Sequence, residues 1–136
     1  MRLIQTYSKI PQFFTKALDK LKDITETHEF YYNASLLMIN IYCKQKNYEK
    51  AIEACEKLKT IYSGNYQIYH TMGLIYKFNE NRKKSIESFL QALKINPKST
   101  ESVIELCALV KINELHHFDE VISILRKALF QKEKNA

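Results

Sequence analysis

The sequence predicts an all-α fold, an α-α superhelix of helix-turn-helix units, and three observations point to it. The 136 residues include only two Gly and two Pro, too few for the turns a β-rich chain needs. Apolar residues recur at i, i+3, i+4 and i+7, the spacing of one helical face. Sliding the chain by 34 also pairs Ile41 with Ile75, Tyr42 with Tyr76, Asn47 with Asn81, Lys50 with Lys84, Ile52 with Ile86 and Glu53 with Glu87. Self-similarity at such an interval marks units that cannot bury their apolar faces alone and must stack.

The elements follow in order. Over 8–31, "ALDKLKDI" (17–24) echoes "ACEKLKTI" (54–61) at an offset of 37. It reads as the second helix of a degenerate half repeat, opened by Pro11 near its N-terminus. Residues 32–65 form the first full unit, clearest in "YCKQKNYEKAIEACEKL". Residues 66–99 form the second. Its first helix carries Tyr69, Met72, Gly73 and Tyr76, its polar turn runs from Asn79 to Lys84, and its second helix carries Ser85, Phe89, Ala92 and Leu93. Asn96-Pro97 ends that helix, because a residue before Pro resists the α region. Residues 100–134 form the third unit, with Leu106, Cys107 and Val110 on its first helix and Val121, Leu125 and Ala128 on its second. In its second half the offset becomes 36, from Ile86 to Ile122 and from Leu93 to Leu129. That implies two extra residues near His116-His117, in a loop. The apolar positions are expected to be core, with Ile86, Leu93 and Ile95 packing on the next unit's first helix.

These units resemble the tetratricopeptide repeat (TPR), whose pattern is W-x2-L-G-x2-Y, then A-x3-F, then P. Tyr69, Met72, Gly73, Tyr76, Ser85, Phe89, Ala92 and Pro97 fill it in the second unit. Tyr42, Tyr48, Ala51, Cys55 and Leu58 take its places in the first, which departs at Ile39, where a small residue normally lets the helices approach. The third unit lacks the first aromatic and the closing Pro. The resemblance implies a solenoid of about three repeats plus an N-terminal helix, read as a single TPR domain over 1–136. The apolar "ESVIELCALVKI" is also similar to repeats in scaffold subunits of the anaphase-promoting complex, a ubiquitin ligase.

The resemblance places function in a concave groove lined by the first helix of each unit, where a partner peptide or helix would bind. A second stripe on each first helix avoids the core face and follows i, i+3, i+7, i+11. It comprises Asn33, Leu36, Asn40 and Lys44, then Gln67, His70, Leu74 and Phe78, then Glu101, Ile104, Ala108 and Ile112, with Glu105 beside it. Mixed apolar and polar residues suit a peptide-binding surface. Family members that grip chaperone tails clamp a carboxylate with Lys, Asn and Arg. Here only Asn40 matches. Leu36 stands for a Lys, Thr71 for an Asn, and Glu101 and Glu105 for Lys and Arg, so an acidic tail would be repelled.

Other classes fare less well. An enzyme has no supporting motif: the only glycines are Gly64 and Gly73, so there is no phosphate loop. No cofactor or metal is expected. His116-His117 reads as an exposed loop, and Cys43, Cys55 and Cys107 form no C-x-x-C pair. Free thiols suit the cytoplasm or nucleus. No signal peptide or membrane span is read. The formal net charge is +6, yet 18 of 21 basic residues are Lys, whereas base and phosphate recognition favour Arg. A nucleic-acid role is therefore the weaker alternative, and Arg82-Lys83-Lys84 reads as a solvated turn. Ile122, Leu129 and Phe130 leave the last helix apolar on its outer face, which predicts an oligomer contact there.

Overall fold

The computed structural model describes residues 13–110 together with Asp119, residues 122–124, Arg126 and Lys127. Its contacts cluster in two compact units, Met1–Ile61 and Tyr62–Ala136, and each is described by itself. Among the described residues every regular element is helical, and no helix is long and apolar enough to cross a membrane.

The first unit contains α1 (Phe14–Leu21), α2 (Tyr31–Lys44) and α3 (Tyr48–Ile61). α1 buries Phe14, Ala17, Leu18 and Leu21, one face at helical spacing. It packs on α2, and α2 packs on α3. Pro11, expected to open this segment, lies outside the described residues. Ile39, Ile41 and Tyr42 of α2 are buried in this unit, as are Ala51, Cys55 and Leu58 of α3.

The second unit contains α4 (Tyr66–Phe78), α5 (Arg82–Ile95) and α6 (Thr100–Leu109). Asp119, residues 122–124, Arg126 and Lys127 are also helical. α4 and α5 pack together, and α5 packs on α6. Gly73 explains how closely the first pair nests. A Cβ there would stand 2.6 Å from the Phe89 ring, so only a residue without a side chain allows the ring to lie against α4. Ser85 Oγ uses the same approach to donate to the Gly73 carbonyl at 2.7 Å. The α5–α6 interface is a cluster of Ile86, Phe89, Leu90, Leu93, Leu106 and Val110, with Leu74, Val103, Leu109 and Ile124 against it.

Ile86 and Leu93 thus meet the next first helix as expected. Two apolar residues do not lie where expected. Ile95 is exposed; it is the last residue of α5 and falls off the 86–89–93 line that faces α6. Cys107 is also exposed, because α6 turns Leu106 and Val110, not Cys107, into the cluster.

Both hairpin turns are built the same way, one period apart. Lys46 and Glu80 each adopt φ 59°, the left-handed residue of a Schellman closure. The Asn47 N–H donates back to the Tyr42 carbonyl and the Asn81 N–H to the Tyr76 carbonyl, both at 2.8 Å. The same two asparagines start the next helix. Asn47 Oδ1 accepts from the Lys50 N–H at 3.4 Å, and Asn81 Oδ1 from the Lys84 N–H at 3.3 Å, which satisfies an orphan donor of the first turn. The ammonium of Lys50 lies 6.0 Å from the Tyr42 ring centre, and that of Lys84 lies 5.6 Å from the Tyr76 ring centre. The identities at 42/76, 47/81 and 50/84 are therefore one turn-closing device used twice.

Candidate functional site

The outward stripes of the first helices lie mostly at the surface. On α2, Asn33, Asn40 and Lys44 are exposed and Leu36 is half-buried. On α4, Gln67 is exposed, His70 and Leu74 are half-buried, and Phe78 is 62% exposed. On α6, Glu101 and Ala108 are exposed, Ile104 is 61% exposed and Glu105 is half-buried. Ile112 lies outside the described residues. Phe78 and Ile104 are the most exposed large apolar side chains among the described residues, and both belong to stripes picked out by spacing alone.

Within the second unit the α4 and α6 stripes are tied together. Lys77 Nζ meets Glu105 Oε2 at 2.8 Å. The His70 ring lies 5.3 Å from the Phe89 ring, tilted by 57°. Its Nδ1 is 2.9 Å from Ser102 Oγ, and Ser102 Oγ accepts from Ser99 Oγ at 3.0 Å. Nε2 faces Glu101 Oε2 at 3.9 Å. Burial lowers the His70 pKa, and the Glu101 and Glu105 carboxylates oppose that shift. His70 is a neutral strut among three helices. Glu101 and Glu105, which read as a bare acidic pair in the sequence, each face a basic side chain of α4. Lys77, Ser99 and Ser102 were not singled out by spacing. The Lys77–Glu105 pair is separated by 28 residues, and only stacking brings it together.

The basic triplet is also partly committed. Arg82 Nε donates to the Leu109 carbonyl at 2.8 Å, satisfying one of the orphan acceptors at the end of α6, and Lys84 covers Tyr76. The thiols are poor nucleophiles where buried. Burial pushes Cys43 up. It pushes Cys55 up to about 12, with smaller contributions from Cys43 and Glu56. A thiol in that state is not the thiolate that reacts. At the C-terminal end, Ile122 is half-buried and shares a recess with Asp119, Ser123, Arg126 and Lys127. Leu129, Phe130, His116 and His117 lie outside the described residues.

With this geometry in place, comparison with known proteins adds three findings. Residues 66–99, the second hairpin and the loop after it, match the tetratricopeptide repeat family profile. No curated protein matches the chain. Among solved structures, the chain is similar to a crystal structure of MamA, with a TM-score of 0.65, 18% identity, and coverage of 97% of this chain and 80% of that one. It is similar to a MamA RS-1 double mutant, with a TM-score of 0.61, 19% identity, and coverage of 96% and 68%. It also resembles MamA from Desulfovibrio magneticus RS-1, with a TM-score of 0.61, 18% identity, and coverage of 98% and 70%. At these identities the likeness is one of fold: the all-α, α-α solenoid class that the 34-residue period predicts is the class found.

Proposed function

We propose that this protein is an interaction module rather than an enzyme, and that it binds a peptide or helix of a protein partner on the outward faces of its first helices. The observation that carries this reading is the exposure of Phe78 and Ile104 on those faces. Burying such side chains in water-excluding contact is the usual source of interface affinity, and the mixed polar residues around them match the rim of such a surface. The repeat match over 66–99 supports the class of function. The free cysteines suit a reducing compartment, cytoplasm or nucleus.

The test is a photo-crosslinking amino acid placed at Phe78 or Ile104 in the native organism. Discrete adducts of the same mass from both positions are expected. Adducts from Lys83, on α5, but none from these two would refute the assignment. Self-association is the second reading, drawn from the recess around Ile122. A change in mass by light scattering on Ile122→Glu is its test.

A further inference from the structure

We propose that the first unit carries a second binding site, a cleft beside α1 that takes a short acidic peptide with an apolar side chain set between two carboxylates. The cleft measures about 380 Å³ and is enclosed by the end of α1, one face of α2 and one face of α3. It lies at the lower end of the range for ligand pockets, large enough for one or two side chains.

The construction follows from helical spacing. Tyr31, Ala34, Met38 and Tyr42 share one face of α2, opposite the face that carries Asn33, Leu36, Asn40 and Lys44. Tyr31, Ala34 and Tyr42 are buried and Met38 is half-buried, so the base of this trough is largely apolar. α3 places a cation over each tyrosine. Lys50 Nζ lies 6.0 Å from the Tyr42 ring centre, and Lys57 Nζ lies 5.9 Å from that of Tyr31. α1 ends at Leu21, and Leu21, Lys22 and Ile24 complete the lining of the trough. Lys22 stands on its rim, and three lysines outnumber Glu53 among the charged lining groups.

A carboxylate already sits on this rim. Glu26 Oε1 lies 3.1 Å from Lys57 Nζ, with both side chains more than half exposed. Exposed pairs of this kind are weak, so a partner's carboxylate can take the place of Glu26. Lys50 and Lys57 are seven residues apart on one helix, roughly 10 Å at its rise per residue. A polyproline II segment covers that distance in about three residues at ~3.1 Å each, and its three residues per turn bring the first and fourth side chains to one face. The fitting pattern is therefore Glu-x-x-Glu, with both carboxylates turned to Lys50 and Lys57 on α3 and one of the two intervening side chains turned to the α2 side of the cleft.

The test is fluorescence anisotropy of the full chain with a labelled peptide carrying Glu-Leu-Ile-Glu between glycines. Saturable binding is expected, weakened about tenfold or more, equivalent to ~1.4 kcal/mol, when both Glu are replaced by Gln. Lys50→Glu with Lys57→Glu should weaken it comparably, and Ala54→Leu should weaken it by filling the trough. Glu26→Gln should tighten it by up to about fivefold, because an internal competitor is removed. Phe78→Ser should leave it unchanged, which separates this site from the one proposed on the first helices. Thermal melts confirm that each variant folds, and Lys50→Gln serves if the double reversal does not. No saturable binding, equal binding of the Gln peptide, or loss of binding in Phe78→Ser would each overturn the proposal.

Discussion

The two helical hairpins, α2–α3 and α4–α5, share a turn and differ in what fills them. At three equivalent core positions the sizes are changed. Ile39 in the first corresponds to Gly73 in the second, Cys55 to Phe89, and Leu58 to Ala92. All six are buried. In the first hairpin the bulk at this level is Ile39 on the first helix, with a small thiol one period before Phe89. In the second it comes from the second helix, and the Phe89 ring fills the space left by Gly73. A close-packed interior needs the summed volume to be right, not the residue at any one position. In the glycine hairpin the Ser85 hydroxyl also donates to a carbonyl of the facing helix; its counterpart in the first hairpin is Ala51, which has no hydroxyl.

The largest effect should come from moving one hairpin's solution into the other. Phe89→Cys alone should cost about 3–5 kcal/mol by leaving a cavity. Gly73→Ile alone should cost about 1–3 kcal/mol by overpacking. The double variant should recover part of the loss, with a coupling of up to about 3 kcal/mol in urea titrations. Additive losses would break the comparison. Asn47→Ala and Asn81→Ala should each cost about 0.5–2 kcal/mol, and by similar amounts, since the two caps have the same geometry. Ser85→Ala should cost about 0.5–1.5 kcal/mol, whereas Ala51→Ser should not stabilise, because Ala51 is fully buried and bulky Ile39 stands where Gly73 stands in the second hairpin. Lys46→Gly and Glu80→Gly should each stabilise by about 0.5–1 kcal/mol, because glycine takes the left-handed conformation without steric cost. The smallest effect concerns pH and the second hairpin alone. The folded His70 pKa is lowered, so the folded state holds fewer protons than the unfolded chain as pH falls. Its stability contribution is present above about pH 6.5 and is lost below that value. Melting temperatures between pH 7.5 and 5 should fall less in His70→Gln.

Much of the scaffold was legible in the sequence because it is periodic. The interval of 34 located both hairpins, and helical spacing picked out the core faces. Ile39 read as a departure because a linear motif scores each position alone, while the compensation lies across the helix pair at Cys55. The outward stripes were legible for the same reason as the core: Phe78 and Ile104 follow from phase. The ties between stripes were not. Lys77 and Glu105 meet only through the stacking of α4, α5 and α6, and nothing in either local sequence signals it. The cleft was equally hidden, since its lining is assembled from α1, α2 and α3 together and no one of these segments signals it.

The identical positions of the two hairpins, Tyr42/Tyr76, Asn47/Asn81 and Lys50/Lys84, thus close turns. The outward positions diverge: Asn40 on α2 corresponds to Leu74 on α4, and Lys44 to Phe78. On the first helices, partner binding is therefore assigned to the divergent, exposed positions; of the repeated ones, Tyr42 and Lys50 both close a turn and line the cleft of the first unit. Quantitative affinity capture from the native organism tests this most directly, comparing the natural chain with Phe78→Ser/Ile104→Ser and with Glu80→Gly. The first variant should lose the partners held on the first helices while its thermal melt is unchanged, and the second should keep them. Full retention of partners by Phe78→Ser/Ile104→Ser would contradict this assignment.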